Sequence, residues 1–237
     1  MRKSFLLAAT SVFFCAAVVA QDKKQETIEG NGKSVTRDIS VSSFESLKAS
    51  GVYELKLSQG DKESVKIEAD ENLQEYFNVR NDGNKLVIDM DKIKNKNLKS
   101  KNKMKVYVTF KKLKEMELGM VGNVDSEEQL SFEDLQLKNK SVGNINLQLT
   151  AKKFSLDNKS VGDVNLKGKA ENVTVKNNGV GSLQAGAFVV QTMDIDNSGV
   201  GNAEVNAEKN LNVKDSFLGK VNNKGSATAR KMNKVRV

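Results

Sequence analysis

A short phrase built around Val-Gly recurs through the C-terminal half of the chain and constrains the fold more than any other feature. Valine precedes the first five glycines of this phrase and leucine precedes the sixth. The glycines are separated by 21, 19, 19, 20 and 18 residues. They are Gly122, Gly143, Gly162, Gly181, Gly201 and Gly219. Chance can give one such pair, but six in register indicate a repeat architecture.

Apolar residues alternate with polar ones on both sides of each glycine. Around Gly143, for example, the apolar positions are Leu135, Leu137 and Ile145. A period of two is typical of half-buried strands and not of a helix. Two short strands and two bends make one coil of a β-solenoid, and successive coils stack about 4.8 Å apart. We therefore expect an all-β fold, a parallel β-helix or β-solenoid with roughly 20 residues per coil in the C-terminal half.

Two polar positions before each glycine support this stacking. The residue four places before the glycine is an amide in four copies and an acid in the last: Asn139, Asn158, Asn177, Asn197 and Asp215. Stacked asparagines can hydrogen-bond from coil to coil, so we predict an amide ladder at one corner. The charge five places before the glycine alternates in sign, through Lys138, Asp157, Lys176, Asp196 and Lys214. Opposite charges on neighbouring strands stabilise a sheet, so we interpret these acids as a ladder and not as a catalytic group.

Residues 1–20 have the pattern of a secretory signal peptide. Arg2 and Lys3 precede an apolar run, and Val18 and Ala20 occupy the small-residue positions before a cut at Gln21. An N-terminal membrane anchor is the alternative, although the run is short for a span. Cleavage lowers the formal charge of +8 by two, to +6, and removes Cys15. Disulfides and thiol chemistry are therefore not expected in the mature chain.

The remaining chain divides by the regularity of its pattern. Residues 21–38 are polar and lack periodicity, which predicts a flexible leader. Residues 39–237 form one solenoid domain, with irregular coils over 39–118 and regular repeats over 119–225. In the irregular part, strands are expected at 52–57, 65–69, 86–90 and 104–110, with one helical turn or a short helix over 70–77. This part forms either larger coils of the same stack or a small sheet that caps it.

Several of these segments carry a family resemblance. Residues 44–60 and 65–73, together with the Gly-Asn-Ile-Asn type repeats at 143–146 and 162–165, resemble the head GIN domain family of auto-transporter adhesins. This family is common in exported proteins of Bacteroidetes. The resemblance covers about residues 39–225 and implies a right-handed β-helix in the cell envelope or outside the cell. It supplies no catalytic residues.

Composition removes most kinds of active site. The chain has no histidine, and the predicted mature chain has no cysteine, so the usual bases, metal ligands and thiolate nucleophiles are missing. Carboxylate chemistry remains, because glycosidases need two acids and Asp194 and Asp196 would share one face of a strand. Solvated strand positions are the simpler interpretation. We expect no catalytic residue, no cofactor and no metal.

One lysine-rich segment, residues 91–105, is a candidate for binding an anionic ligand. A run of positive charge can hold an anionic polymer through counterion release. The alternative is a solvated loop that protects a strand edge, which is a common use of lysine. The candidate residues are Lys92, Lys94, Lys96, Lys99, Lys101, Lys103 and Lys105.

These observations favour a non-enzymatic exported module that binds through a face of the solenoid, as an adhesin or a scaffold. The alternatives are a glycan-processing β-helix enzyme that uses outward carboxylates and a periplasmic envelope-sensing protein. The expected partners are an anionic envelope glycan or another surface protein, and self-association through exposed coil ends is an open alternative. Nucleic acid is not expected, nor is a transmembrane segment after signal cleavage. The expected location is the periplasm, the outer membrane surface or the extracellular space.

Overall fold

The computed structural model describes residues 25–216 and 218–232. The predicted signal peptide, residues 1–20, lies outside this range. Within it, the two helical segments are short 3-10 turns at Glu71–Tyr76 and Asp91–Ile93. No helix of the described residues is long and apolar enough to cross a bilayer.

Strands make up most of the described chain. The strands of the N-terminal half are β1 (Thr27–Glu29), β2 (Ser34–Ile39), β3 (Ser46–Val52), β4 (Glu54–Gln59), β5 (Ser64–Asp70), β6 (Asn78–Asp82), β7 (Lys85–Asp89), β8 (Asn97–Lys99) and β9 (Lys105–Phe110). The strands of the C-terminal half are β10 (Glu115–Val121), β11 (Val124–Ser126), β12 (Leu130–Asn139), β13 (Ile145–Asn158), β14 (Val164–Asn177), β15 (Leu183–Asn197), β16 (Ala203–Asp215), β17 (Val221–Asn223) and β18 (Ala229–Lys231).

Parallel pairing between successive coils confirms the predicted solenoid. One ladder runs through β7, β3, β10 and β12 and then through the C-terminal halves of β13 to β16. The other runs through β9, β4 and β11 and then through the N-terminal halves of the same long strands. Both ladders end on three-residue strands, β18 and β17. The chain thus forms two parallel sheets that enclose one continuous apolar core.

The Val-Gly turn joins the two sheets without interrupting the backbone ladder. Val142 N–H donates to the carbonyl of Met120 (2.8 Å), and Gly143 N–H donates to the carbonyl of Val161 (2.9 Å). Gly143 adopts a φ of 137°, which side chains with a Cβ rarely tolerate. A Cβ there would also lie 2.3 Å from the carbonyl oxygen of Gly122 in the preceding coil. Glycine is therefore required both for the turn and for the close approach of the next coil.

The predicted asparagine ladder is present and buried. Nδ2 of Asn139 donates to Oδ1 of Asn158 (2.8 Å), and Nδ2 of Asn158 donates to Oδ1 of Asn177 (2.8 Å). The chain continues from Asn177 to Asn197 (2.7 Å) and ends where Asn197 donates to the carbonyl of Gly201 (3.1 Å). Buried amides that satisfy one another in this way fix the register of the coils, because a shifted coil would leave them unpaired.

The N-terminal half caps the stack with antiparallel strands. β5 pairs antiparallel with β9 and β2 pairs antiparallel with β5, while β6 pairs antiparallel with β7. The helix expected within 70–77 is the 3-10 turn Glu71–Tyr76. The capping sheet and the larger coils, which the sequence left as alternatives, thus both occur: β3 and β4 join the parallel ladders, and the antiparallel strands close them.

Residues 25–38 differ from the flexible leader expected over 21–38. β1 pairs parallel with β8, and β2 pairs antiparallel with β5 over six residues. Most side chains of β2 are exposed, so its sequence shows no apolar alternation. Backbone hydrogen bonds along the edge of β5 hold this segment, and such bonds leave little trace in a hydropathy pattern.

The buried ladder predicts that two asparagines of β14 contribute very differently to the free energy of unfolding. Replacing Asn177 by Ala leaves the Nδ2 of Asn158 and the Oδ1 of Asn197 without partners, so we expect a loss of about 3 kcal/mol in the free energy of unfolding. Asn172→Ala, at an exposed position of the same strand, is the matched control and should change stability by less than about 0.5 kcal/mol. Urea unfolding followed by circular dichroism measures both, and equal losses would contradict a structural role for the ladder.

Candidate binding surfaces

The outward side chains of the sheet before each turn form a surface that we call the charged face. Its central column stacks in register with strictly alternating sign: Lys48, Glu117, Lys138, Asp157, Lys176, Asp196 and Lys214. Lys48 Nζ lies 3.6 Å from Glu117 Oε1, and Lys214 forms an ion pair with Asp196. The predicted alternation is therefore confirmed, and it extends two coils further towards the N-terminus than the predicted column, through Glu117 to Lys48.

The acids that could serve a glycosidase belong to this stack. Asp196 lies between Lys176 and Lys214, and Oδ1 of Asp194 accepts a hydrogen bond from Nδ2 of Asn212 (2.7 Å). Burial raises the pKa of Asp196, but Lys214 and the hydroxyl of Ser198 outweigh it and hold this pKa below its ordinary value. A general acid needs a raised pKa, so this environment suits a structural charge better than an acid catalyst. Within the described residues no cluster of three acids could hold a metal ion.

An aliphatic stripe borders the charged face at the turn. The side chains one residue before each turn glycine point outward, and those of Val121, Val142, Val161, Val180 and Val200 are 48–52 % exposed. Bridges in the parallel ladder connect each of these valines to the next. We call the stripe the valine ladder, and it consists of Val52, Val121, Val142, Val161, Val180, Val200 and Leu218.

The sheet after the turn carries a different surface, which we call the amide face: the outward side chains one and three residues after each turn glycine. Nδ2 of Asn146 donates to Oδ1 of Asp125 (2.7 Å), and Nδ2 of Asn165 donates to Oδ1 of Asn146 (2.8 Å). The next rungs of this column carry Gln184 and Glu204. Each exposed amide in this ladder keeps a second N–H and further acceptor capacity free for solvent or a ligand.

A shallow groove of about 530 Å³ opens on the amide face. Its wall arises in β15, whose pairing with β16 shifts register between Gln184 and Val189. Such bulges bend a strand and re-aim its side chains. Polar and apolar atoms contribute about equally to its lining, and its polar side chains include Asn146, Gln148, Asn165, Lys167, Gln184 and Glu204. These residues were not predicted from the sequence, although amides recur three residues after the glycine at Asn146, Asn165 and Gln184.

The lysine-rich segment is spread over the N-terminal cap, and most of its charges have partners. Lys96, Lys101, Lys103 and Lys105 form ion pairs with Glu26 (3.0 Å), Glu29 (3.8 Å), Glu54 (3.4 Å) and Glu68 (3.2 Å). Nζ of Lys92 donates to the carbonyl of Glu75 (2.9 Å). Among the described residues, no acid lies within ion-pair distance of Lys94 or Lys99, and both are exposed. If the segment binds an anion, Lys94 and Lys99 are expected to contribute most, because each of the other five lysines has an acid or a backbone carbonyl as partner.

A buried carboxylate anchors the same segment to the solenoid. Asp70 is fully buried and accepts hydrogen bonds from the backbone N–H of Lys101 (3.0 Å), the hydroxyl of Ser100 (3.2 Å) and the amide of Asn102. Burial raises the pKa of Asp70, but these donors outweigh it and hold the pKa below its ordinary value. The ionised form of Asp70 thus fixes the turn that carries Lys99 and Lys101.

This anchor predicts a pH-dependent contribution to stability. Because the folded pKa of Asp70 lies below its unfolded value of about 3.9, its stabilisation is fully present above that pH and is lost as the pH falls through the folded pKa. Asp70→Asn should cost about 2 kcal/mol in the free energy of unfolding at pH 7, and the gap from the wild type should narrow near pH 3. Urea titrations at both pH values test this, with the exposed Asp61→Asn as control. A gap that does not depend on pH would contradict the assignment.

The ion pairs indicate which lysines of the segment should matter most for binding to acidic glycans. If the segment binds them, Lys94→Gln/Lys99→Gln should lower retention on immobilised lipopolysaccharide at low salt, because these two charges have no internal acid to neutralise them. Lys103→Gln/Lys105→Gln removes the same formal charge from paired positions and should have the smaller effect. Equal effects, or no retention of the wild type, would remove the segment as a candidate site.

Several solved structures share this architecture. A putative adhesin from Bacteroides fragilis is 28 % identical, with a TM-score of 0.73 over 86 % of this chain and 100 % of that chain. A putative lipid binding protein from Parabacteroides distasonis is 18 % identical, with a TM-score of 0.59 over 88 % of this chain and 100 % of that one. A putative adhesin from the same species is 20 % identical, with a TM-score of 0.56 over 87 % and 96 %. The latter two likenesses show the fold alone.

A search of curated proteins found no match. The family model described as "Putative auto-transporter adhesin, head GIN domain" matches residues 43–227. This range contains β3 to β17, the charged face, the amide face and the valine ladder from Val52 to Leu218. The predicted resemblance is therefore confirmed, and the chain belongs to the head GIN domain family of auto-transporter adhesins.

Proposed function

We propose that the chain is a non-enzymatic, adhesin-like module of the cell envelope or cell surface that binds an extended glycan through its amide face. The family supports an adhesin-like surface module. The observation that carries the finer proposal is the groove on the amide face, where Asn146, Asn165 and Gln184 occupy successive rungs of one ladder.

The chemistry of these rungs suits a chain of hydroxyl groups. Amide side chains both donate and accept hydrogen bonds, as sugar hydroxyls do, and they bring no charge that must lose its hydration. Neighbouring rungs are about 4.8 Å apart. An extended sugar chain repeats on a similar scale, so it can meet one amide per sugar along the solenoid axis. Many weak, regularly spaced contacts of this kind favour a polymer over a small ligand.

The spacing of the two acids in this column supports binding over cleavage. Asp125 and Glu204 stand at opposite ends of this column, four rungs or about 19 Å apart. Glycosidases place their two carboxyl groups roughly 5 to 9.5 Å apart. Each acid is also paired with a lysine, Asp125 with Lys56 (2.7 Å) and Glu204 with Lys224 (2.8 Å).

Glycan pull-downs at low and high salt test this proposal. The chain from Gln21 onward is incubated with immobilised uncharged β-glucan, chitin and lipopolysaccharide. We expect retention on an uncharged glycan that persists at high salt, since neither the glycan nor the amides of Asn146, Asn165 and Gln184 carry a charge that salt could screen. Retention on lipopolysaccharide alone, lost at high salt, would favour the lysine-rich segment instead. Failure to bind any of the three, or release of reducing sugar from them, would contradict the proposal.

A pair of double variants locates the binding face. Asn146→Ala/Asn165→Ala removes two rungs of the groove and should weaken glycan binding at least tenfold, which corresponds to about 1.4 kcal/mol. Ser155→Ala/Thr174→Ala changes the same two coils on the charged face and is the matched control. Both pairs are at least partly exposed, so thermal unfolding should be close to that of the wild type. Equal loss of binding in both variants would show that the amide face is not the site.

A further inference from the structure

We propose that a second copy of this chain docks antiparallel on the charged face, with valine ladder against valine ladder. The interface is independent of the amide face, which points away from it on the other sheet. Two features carry the inference. One is the exposed aliphatic stripe at the edge of the charged face, and the other is the column of alternating charge, which can pair with the same column of a second, antiparallel copy.

The valine ladder is too large to be a scatter of surface residues. Six of its members, Val52 to Val200, are joined rung to rung by the parallel ladder, and Leu218 follows at the residue before Gly219. Since each exposes about half of its surface, the stripe presents roughly 500 Å² of apolar area, within the range of the largest apolar patch on a typical monomer, and such patches are often functional. The turn itself requires glycine but places no demand on an aliphatic residue one position earlier, where the side chain points to solvent.

The charges beside the stripe select the partner. Buried and outward side chains alternate along β3 and β10. Lys48 and Val52 therefore point outward on the same face, and so do Glu117 and Val121. A two-fold axis perpendicular to the solenoid axis sets the charge column of one copy against the same column running in reverse. Because the column alternates in sign, its reverse is complementary when the copies are offset by one coil. With no offset, Lys138 of one copy would face Lys176 of the other, and the two copies of Asp157 would face each other.

An offset of one coil in either direction brings opposite charges together along the charge column. The residues of a second column decide between these two offsets. Three residues before the glycine lie Lys140 and Lys159, in adjacent coils. One offset would set these two lysines against each other across the axis. The other sets Lys140 against Ser198 and Lys159 against Asn178, which avoids repulsion between like charges.

The favoured offset fixes the whole interface. Val161 faces Val180 of the second copy, Val142 faces Val200 and Val121 faces Leu218. Asp157 then faces Lys176, Lys138 faces Asp196 and Glu117 faces Lys214. Val52, the least exposed member of the ladder at 39 %, is left outside. Six coils about 4.8 Å apart and three columns roughly 7 Å apart cover roughly 600 Å² per copy. A standard interface covers about 800 Å² per partner, so we expect a reversible dimer.

Sedimentation velocity over a broad range of concentrations tests association. The chain from Gln21 onward should shift from monomer to dimer as its concentration rises. Val161→Lys/Val180→Lys places four ammonium groups at the axis and should remain monomeric with an unchanged melting temperature. Val189→Lys, at an exposed valine outside the ladder, is the matched control and should dimerise like the wild type. A wild type that stays monomeric, or a double variant that still dimerises, overturns the proposal.

Cross-linking tests the antiparallel arrangement. Cys15 lies in the predicted signal peptide, so one introduced cysteine is the sole thiol of the chain from Gln21 onward. In the proposed interface, Val142→Cys of one copy faces Val200→Cys of the other. The two copies of Val142 are displaced by three coils, about 14 Å. A short bismaleimide linker should therefore join a mixture of the two variants and leave each variant alone largely unlinked. Linkage of Val142→Cys to itself as the main product would indicate a parallel dimer and overturn the arrangement.

Discussion

The close stacking of one coil on the next is the constraint on which the rest of this molecule depends. At each turn the carbonyl oxygen of one coil occupies the space that a Cβ would need in the next, as Gly143 O does above Gly162 (2.2 Å). The same spacing brings Asn158 within hydrogen-bond distance of both Asn139 and Asn177. The glycine allows the coils to approach each other closely, and the buried amides determine the register in which they stack. A fold without disulfides in its described part thus obtains its specificity from a few repeated interior contacts.

Because the interior fixes the register, the outward columns need not contribute to it and can differ from one face to the other. Before the turn, the outward column alternates lysine and acid through Lys138, Asp157 and Lys176. After the turn, the corresponding column is mostly amide, as at Asn146 and Asn165. Structures with 18–20 % identity keep the same fold, as expected when the scaffold depends on a few positions per coil. Contact specificity can therefore change through the outward columns without loss of the fold.

The sequence predicted those features that repeat, and it missed those that depend on contacts between distant segments. The alternation around Gly143 and the recurrence of Asn158 and Asn177 were sufficient for the coil, its register and its buried ladder. The groove depends on a shift of register in β15, where one coil is longer than its neighbours, and no periodic signal marks its shape. The ion-pair partners of the lysines could not be predicted from the repeat either, since Lys101 pairs with Glu29, which is distant in sequence. Pairing of this kind is set by tertiary structure, whereas the repeat sets the stacking of adjacent coils.

The ends of the solenoid explain why its sides are the surfaces available for contact. A parallel stack would offer unpaired backbone groups at both ends, and such edges recruit further strands. At the N-terminal end the antiparallel strands β2 and β6 replace the parallel edge, and β2 carries exposed polar and charged side chains such as Arg37. At the C-terminal end the last strands have only three residues, and β18 exposes Arg230 and Lys231. Short, charged edges disfavour end-to-end growth, which argues against self-association through the coil ends. The long lateral faces, one lined by amides and one by valines and alternating charges, are the surfaces that this architecture leaves for partners.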